Sequence, residues 1–116
     1  MTYNDSKWNV FTDIAAINRW IEQANEESMH KDSMCVMKIG EEFGEAVAAY
    51  IGMTGQNPRK GYTHTKSDLY EELCDIAITA LVALEHFTGS PIITQGFMAS
   101  RISKIIARSN IPPYLV

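Results

Sequence analysis

Apolar residues recur along this chain at the three- and four-residue steps of helices, and no stretch alternates as a half-buried strand does. Ile14, Ile17 and Ile21 mark a first helix, opened by Thr12 and Asp13 and fading in the polar run Asn25-Glu26-Glu27-Ser28. A second helix starts between Ser28 and Ser33 and runs to about Tyr50 or Ile51, where Gly52 and Gly55 stop it. Its apolar stripe is Val36, Ile39, Phe43, Val47 and Tyr50, and the stripe beside it is Lys38, Glu42, Glu45 and Ala49. Thr65 or Ser67-Asp68 opens a third helix, expected to bury Leu69, Leu73, Ile76, Ala80, Leu84 and Phe87 before Gly89 ends it. Ser90-Pro91 starts a fourth, an N-cap followed by proline at the first helical position. That helix sets Ile92, Phe97, Ile102, Ile105 and Ile106 against Arg101, Lys104 and Arg108, and Ile111-Pro112-Pro113 cannot continue it. The pattern predicts an all-α fold: a four-helix bundle-type protomer, one domain over 1–116, with an arm over about 1–10 and a loop over about 52–67.

The third helix is apolar nearly all round, and a helix with more than one apolar face wants more than one neighbour. A homo-oligomer, dimer or tetramer, is therefore expected. A chain of 116 residues with 46% hydrophobic and 21% charged residues is an ordinary globular domain rather than a disordered one. The net charge of −4 argues against a nucleic-acid partner, which calls for a basic face. The two cysteines, Cys35 and Cys74, have no histidine at ligand spacing and read as buried or half-buried thiols of a reducing compartment. The N-terminal residues lack the pattern of a secretory leader, and the uncharged apolar run Ile76 to Leu84 is too short to cross a membrane. A cytoplasmic protein without a membrane partner is the expectation.

Two acidic signatures change the picture. Glu41-Glu42-Phe43-Gly44-Glu45 and Glu71-Glu72-Leu73-Cys74-Asp75 each open onto a strongly apolar helical stretch, where a solvated charge run is out of place. Residues three apart on a helix differ by about 60° around the axis and about 4.5 Å along it. Glu42 with Glu45, and Glu72 with Asp75, thus project from one stripe each, and facing stripes bring four carboxylates together. Such a cluster is costly unless a hard divalent cation neutralises it, and oxygen-only ligands select magnesium, or manganese as substitute, over zinc. Alanines at 46, 48, 49, 77, 80 and 83 permit close approach of the two backbones. Lys38, one turn before Glu42, and Arg59-Lys60 in the intervening loop supply cations for phosphate oxygens.

The segment KIGEEFGEAVAAY, followed beyond the loop by ELCD, resembles the EExxE…ExxD signature of the all-α, MazG-like nucleoside triphosphate pyrophosphohydrolases. The resemblance runs from roughly Phe11 to Arg108 and takes in the lysine ahead of EExxE, the GQNPRKG loop and the apolar helix after ExxD. It implies helical bundles assembled as a dimer or dimer of dimers. It also implies Mg²⁺-dependent cleavage between the α- and β-phosphates of a nucleoside triphosphate, giving monophosphate and pyrophosphate, as in nucleotide-pool housecleaning. By motif position Glu42, Glu45, Glu72 and Asp75 are the metal ligands, and Glu41 and Lys38 the catalytic candidates. Glu41 is open to three roles: supporting a ligand, binding a further ion, or positioning the attacking water. Lys38, Arg59 and Lys60 contact the triphosphate.

Trp20 ends the first apolar stripe and offers a face for base stacking, although a core or interface role suits it better; Trp8 in the arm is open to either. His64 shares the basic loop, whereas His30 and His86 read as surface or packing residues. A carboxylate-bridged di-iron bundle needs Glu-x-x-His motifs, which these carboxylate-only pairs do not provide. The alternative class is a non-enzymatic helical interaction or regulatory protein that uses its acidic residues for specificity.

Overall fold

The computed structural model describes residues 9–116 and within them contains no strand. Four helices follow in order, α1 (Val10–Ala24), α2 (Lys31–Thr54), α3 (Lys66–Thr88) and α4 (Pro91–Arg108), with a short 3-10 turn at Pro113–Leu115. Trp8 and most of the expected arm lie outside the described residues. No single described helix is long and apolar enough to cross a membrane.

Local chemistry sets the helix ends. Asn9, rather than Thr12, caps α1: its Oδ1 accepts from Phe11 N at 3.0 Å and Thr12 N at 3.2 Å, which leaves Thr12 and Asp13 inside the first turn. Helix α2 continues through Gly52 and stops at Gly55, whose φ of 67° is the left-handed conformation glycine adopts without strain. Gly52 is a packing residue, not a stop. The carbonyl of Gly52 accepts from Thr63 N at 3.0 Å, and a Cβ there would overlap the His64 ring and the Thr63 hydroxyl. Thr65 caps α3 in a reciprocal pair with Asp68. Ser90 caps α4 with Pro91 at its first position, as the sequence indicates.

Helices α2 and α3 form an antiparallel hairpin, closed at one end by the loop folded onto Gly52 and at the other by His86 bonded to Asp32. Helix α1 packs on α3, and α4 packs on both α1 and α3 after the chain turns by 120°. Among the described residues the buried apolar side chains are Ile14, Ala15, Ala46, Ala49, Val82 and Ala83, four of them alanines. At the α3–α4 corner the fully buried Thr94 hydroxyl donates to Glu85 Oε2 at 2.5 Å and lies 2.6 Å from Thr88 Oγ1.

This packing corrects the expected core. The buried residues of α2 are Ala46, Ala49 and Gly52, the last packed on Thr63 and His64 of the loop, and the stripe of Val36, Phe43, Val47 and Tyr50 faces outward. Leu73, Ala80 and Phe87 of α3 are exposed too, as are Ile92, Phe97, Ile102 and Ile105 of α4, while Ile39, Leu69, Ile76, Leu84 and Ile106 are half-buried. The physical reason is reach: helices in contact through alanines lie too close for the larger stripes to be shared between them. The radius of gyration is 17.4 Å, where a compact chain of this length gives about 13 Å. The accessible surface is 8929 Å², against about 6,300 Å² for a compact protein of this mass.

Candidate functional site

The close α2–α3 approach brings three of the four expected metal ligands together. Glu42, Glu45 and Glu72 each place one carboxylate oxygen within 4.8 Å of the others. Glu42 Oε2 and Glu72 Oε2 are buried and have no hydrogen-bond partner. Burial pushes the Glu42 carboxyl above the usual carboxylate range, and the negative charges of Glu45 and Asp75 push it further. Asp75 therefore lies within electrostatic reach but is exposed and contributes no oxygen to the group of three. Orphaned buried carboxylate oxygens are rare in folded proteins because each forfeits its hydration. An all-oxygen donor set of this kind fits Mg²⁺ or Mn²⁺ better than zinc, which favours nitrogen and sulfur ligands.

Lys38 extends along α2 toward the same group, with Nζ 3.0 Å from Glu41 Oε1 and 3.6 Å from Glu42 Oε1. The hydrogen bond to Glu41 comes first among the causes that hold the Lys38 ammonium charged. Glu41 itself is exposed and stands outside the group of three; what it touches is Lys38.

Lys38 also borders a partly open cavity of about 400 Å³ between α1, α2 and α3. Ile17, Ile21, Met34, Ile78 and Val82 give it a mainly apolar wall. Asn18, Glu22 and His86 line it as well, and His86 bonds Asp32, six residues or about 9 Å before Lys38 on α2. Asn18 is buried, and its Nδ2 donates to Glu22 Oε1 at 3.2 Å.

Three expected contributors are not brought here. Trp20 is 70% exposed and outside the cavity wall, because it lies two residues from both Asn18 and Glu22 and hence on the opposite face of α1. Arg59 and Lys60 sit at the tip of the hairpin loop, in a turn where Asn57 O accepts from Lys60 N at 3.1 Å and Gly61 N at 2.9 Å. From Glu45 the helix runs nine residues, about 14 Å, before the loop begins, and no ion pair holds either cation among the described residues. His64 packs at Gly52, with Nδ1 2.9 Å from Thr63 Oγ1. Cys35 is half-buried, its thiol pushed up by burial and then by Asp32, whereas Cys74 is exposed rather than sheltered.

Sequence reasoning missed the cavity and the roles of Asn18, Glu22 and His86. Asn18 interrupts the Ile14-Ile17-Ile21 stripe, and a polar residue inside an apolar stripe was the available signal. The bridge from His86 to Glu22 and Asp32 spans 64 and 54 residues of sequence and had no local signature. Comparison with family models, curated proteins and solved structures found no match to this chain.

Proposed function

We propose that this chain is a MazG-like, magnesium-dependent nucleoside triphosphate pyrophosphohydrolase acting in housecleaning of the cytoplasmic nucleotide pool. The observation that supports this reading is the pair of orphaned buried oxygens, Glu42 Oε2 and Glu72 Oε2, on two residues that α2 and α3 bring into one carboxylate group next to Lys38. Glu42, Glu45 and Glu72 would hold Mg²⁺ or a substituting Mn²⁺, with Asp75 at the edge of the site. When bound, the ion offsets the carboxylate and phosphate charges and activates water toward phosphorus.

The chain's own side chains divide the remaining work. Lys38 presents its ammonium to the phosphate chain, and Glu41 orients it. The cavity, within the roughly 300–1,000 Å³ range of small-molecule sites, takes the nucleoside against its apolar wall. The outward stripes of α2 and α4 are covered by further copies of the chain in a dimer or tetramer. Arg59 and Lys60, at the tip of the hairpin loop, would meet the far end of a triphosphate from their own loop or from that of another copy.

The same exposed stripes favour a second reading, a non-enzymatic helical interaction protein. Thermal melting in a Mg²⁺ series separates the two. An ion that binds only the folded carboxylates raises the melting temperature with each increment of metal, and Glu72→Gln abolishes the rise. A melting temperature indifferent to Mg²⁺ would leave only the interaction reading.

A further inference from the structure

His86 lies away from the carboxylate group, and both of its ring nitrogens are engaged. Nδ1 is 2.8 Å from Glu22 Oε1 on α1, and Nε2 is 2.6 Å from Asp32 Oδ1 near the start of α2. A neutral imidazole has one N–H and one lone pair, so between two carboxylates it can bond only one and must aim its lone pair at the other. Only the imidazolium satisfies both. One side chain of α3 thereby ties α1 to α2 across the end of a cavity that otherwise separates them.

The charged surroundings are of mixed sign. Helix α1 contributes Glu22, with Arg19 and Glu26 around a shallower groove outside, and α2 contributes Asp32, Lys31 and the half-buried Cys35 thiol. On α3 the neighbouring Glu85 is turned to Thr94, and Phe87 meets the His86 ring edge-on at 5.1 Å. Among the described residues no α4 side chain bonds to His86.

We propose that His86 is the positioning residue of this cavity: as an imidazolium it clamps α1 and the start of α2 onto α3, fixes the spacing of the cavity walls, and lets ligand affinity fall when its proton leaves. The identity of the ligand rests on the pyrophosphohydrolase reading; the clamp does not. The hydrogen bond that His86 donates to Asp32, followed by the one it donates to Glu22, raises the His86 pKa above its ordinary 6.5, against the opposing pull of partial burial. A raised folded value means the clamp is complete below the ordinary pKa and is lost as pH rises through the folded one.

The test follows the His86 ring proton and the methyl groups of Ile17, Ile21 and Ile78 by NMR in the full chain, from mildly acidic to alkaline pH, without metal or nucleotide. His86 should titrate above its ordinary value, the cavity methyls should shift with the same midpoint, and Asp32→Asn should move that midpoint down. In parallel, KM for pyrophosphate release from a nucleoside triphosphate should rise through this midpoint by roughly tenfold, the scale of one charge-assisted hydrogen bond. His86→Gln should lack that inflection. A His86 that titrates at or below its ordinary value, methyls that ignore it, or equal KM profiles in wild type and His86→Gln would overturn the clamp. Methyls that track His86 in a protein that turns over no triphosphate would keep the clamp and sink the pyrophosphohydrolase reading instead.

Discussion

Replacing Thr94 by valine removes one hydroxyl and leaves the shape of the α3–α4 corner nearly unchanged. Thr94 is fully buried, Glu85 is 3% exposed, and the bond between them is 2.5 Å long. The valine variant therefore strands Glu85 Oε2 without its donor and without water. A hydrogen bond to a charged acceptor contributes about 1.5–3 kcal/mol, and the desolvation penalty of an orphaned group is of similar size. The expected loss is about 2 kcal/mol, because valine recovers a little by packing its extra methyl. Unfolding entropy near about 2.1 cal/mol/K per residue amounts to about 0.24 kcal/mol/K for this chain, so the melting temperature should fall by about 8 °C. Thermal and urea melts at one fixed protein concentration measure this, since assembly would make stability concentration-dependent. Glu85→Gln in the Thr94→Val background should recover part of the loss, because an amide costs less to bury than a carboxylate. A loss below about 0.5 kcal/mol in the single variant would refute the reasoning and mean that Glu85 finds another donor on relaxation.

Two further outcomes follow from the helix ends and the outward stripes. The Asp68 carboxyl is held below its ordinary range first by the Thr65 backbone N–H and then by the Thr65 hydroxyl, so its contribution is present above the ordinary pKa and lost as pH falls through the folded one. Acid unfolding of Asp68→Asn should lack that component while the neutral-pH fold persists; identical acid limbs would remove the capping argument. Sedimentation at micromolar concentration should give an even-numbered oligomer that Phe43→Asp with Val47→Asp dissociates, whereas a well-folded wild-type monomer would show the α2 stripe to be uncovered.

The helices were largely legible in sequence because their signals are local. Thr65, Ser90, Pro91, Gly55 and Gly89 act within a turn of where they stand, and the structure uses each of them. Gly52 misled because a glycine required for close packing looks the same in sequence as one that stops a helix. The burial expected of Leu73, Ala80 and Phe87 on α3 failed for the same reason that leaves the apolar stripe of α2 facing outward. Periodicity shows that Val36, Phe43, Val47 and Tyr50 share a face; it does not say which neighbour that face meets, and the alanine face won α3. At the site, i,i+3 spacing was enough to predict Glu42 beside Glu45. The register between two helices decides whether Glu72 or Asp75 reaches them, and that register is fixed by distant contacts such as the Gly52–Thr63 and Asp32–His86 bonds.

The most direct measurement is pyrophosphate release from a panel of canonical and modified nucleoside triphosphates in ¹⁸O-labelled water with Mg²⁺, comparing wild type with Glu72→Gln. At least one triphosphate should yield monophosphate and intact pyrophosphate in equal amounts, without a diphosphate intermediate and with the label in the monophosphate. Glu72→Gln should slow that release by about 10–100-fold or more, as loss of a group that holds or supports a metal does. No turnover across the panel, release of orthophosphate, label in the pyrophosphate, or an unimpaired Glu72→Gln would contradict a metal-dependent attack at the α-phosphorus between α2 and α3.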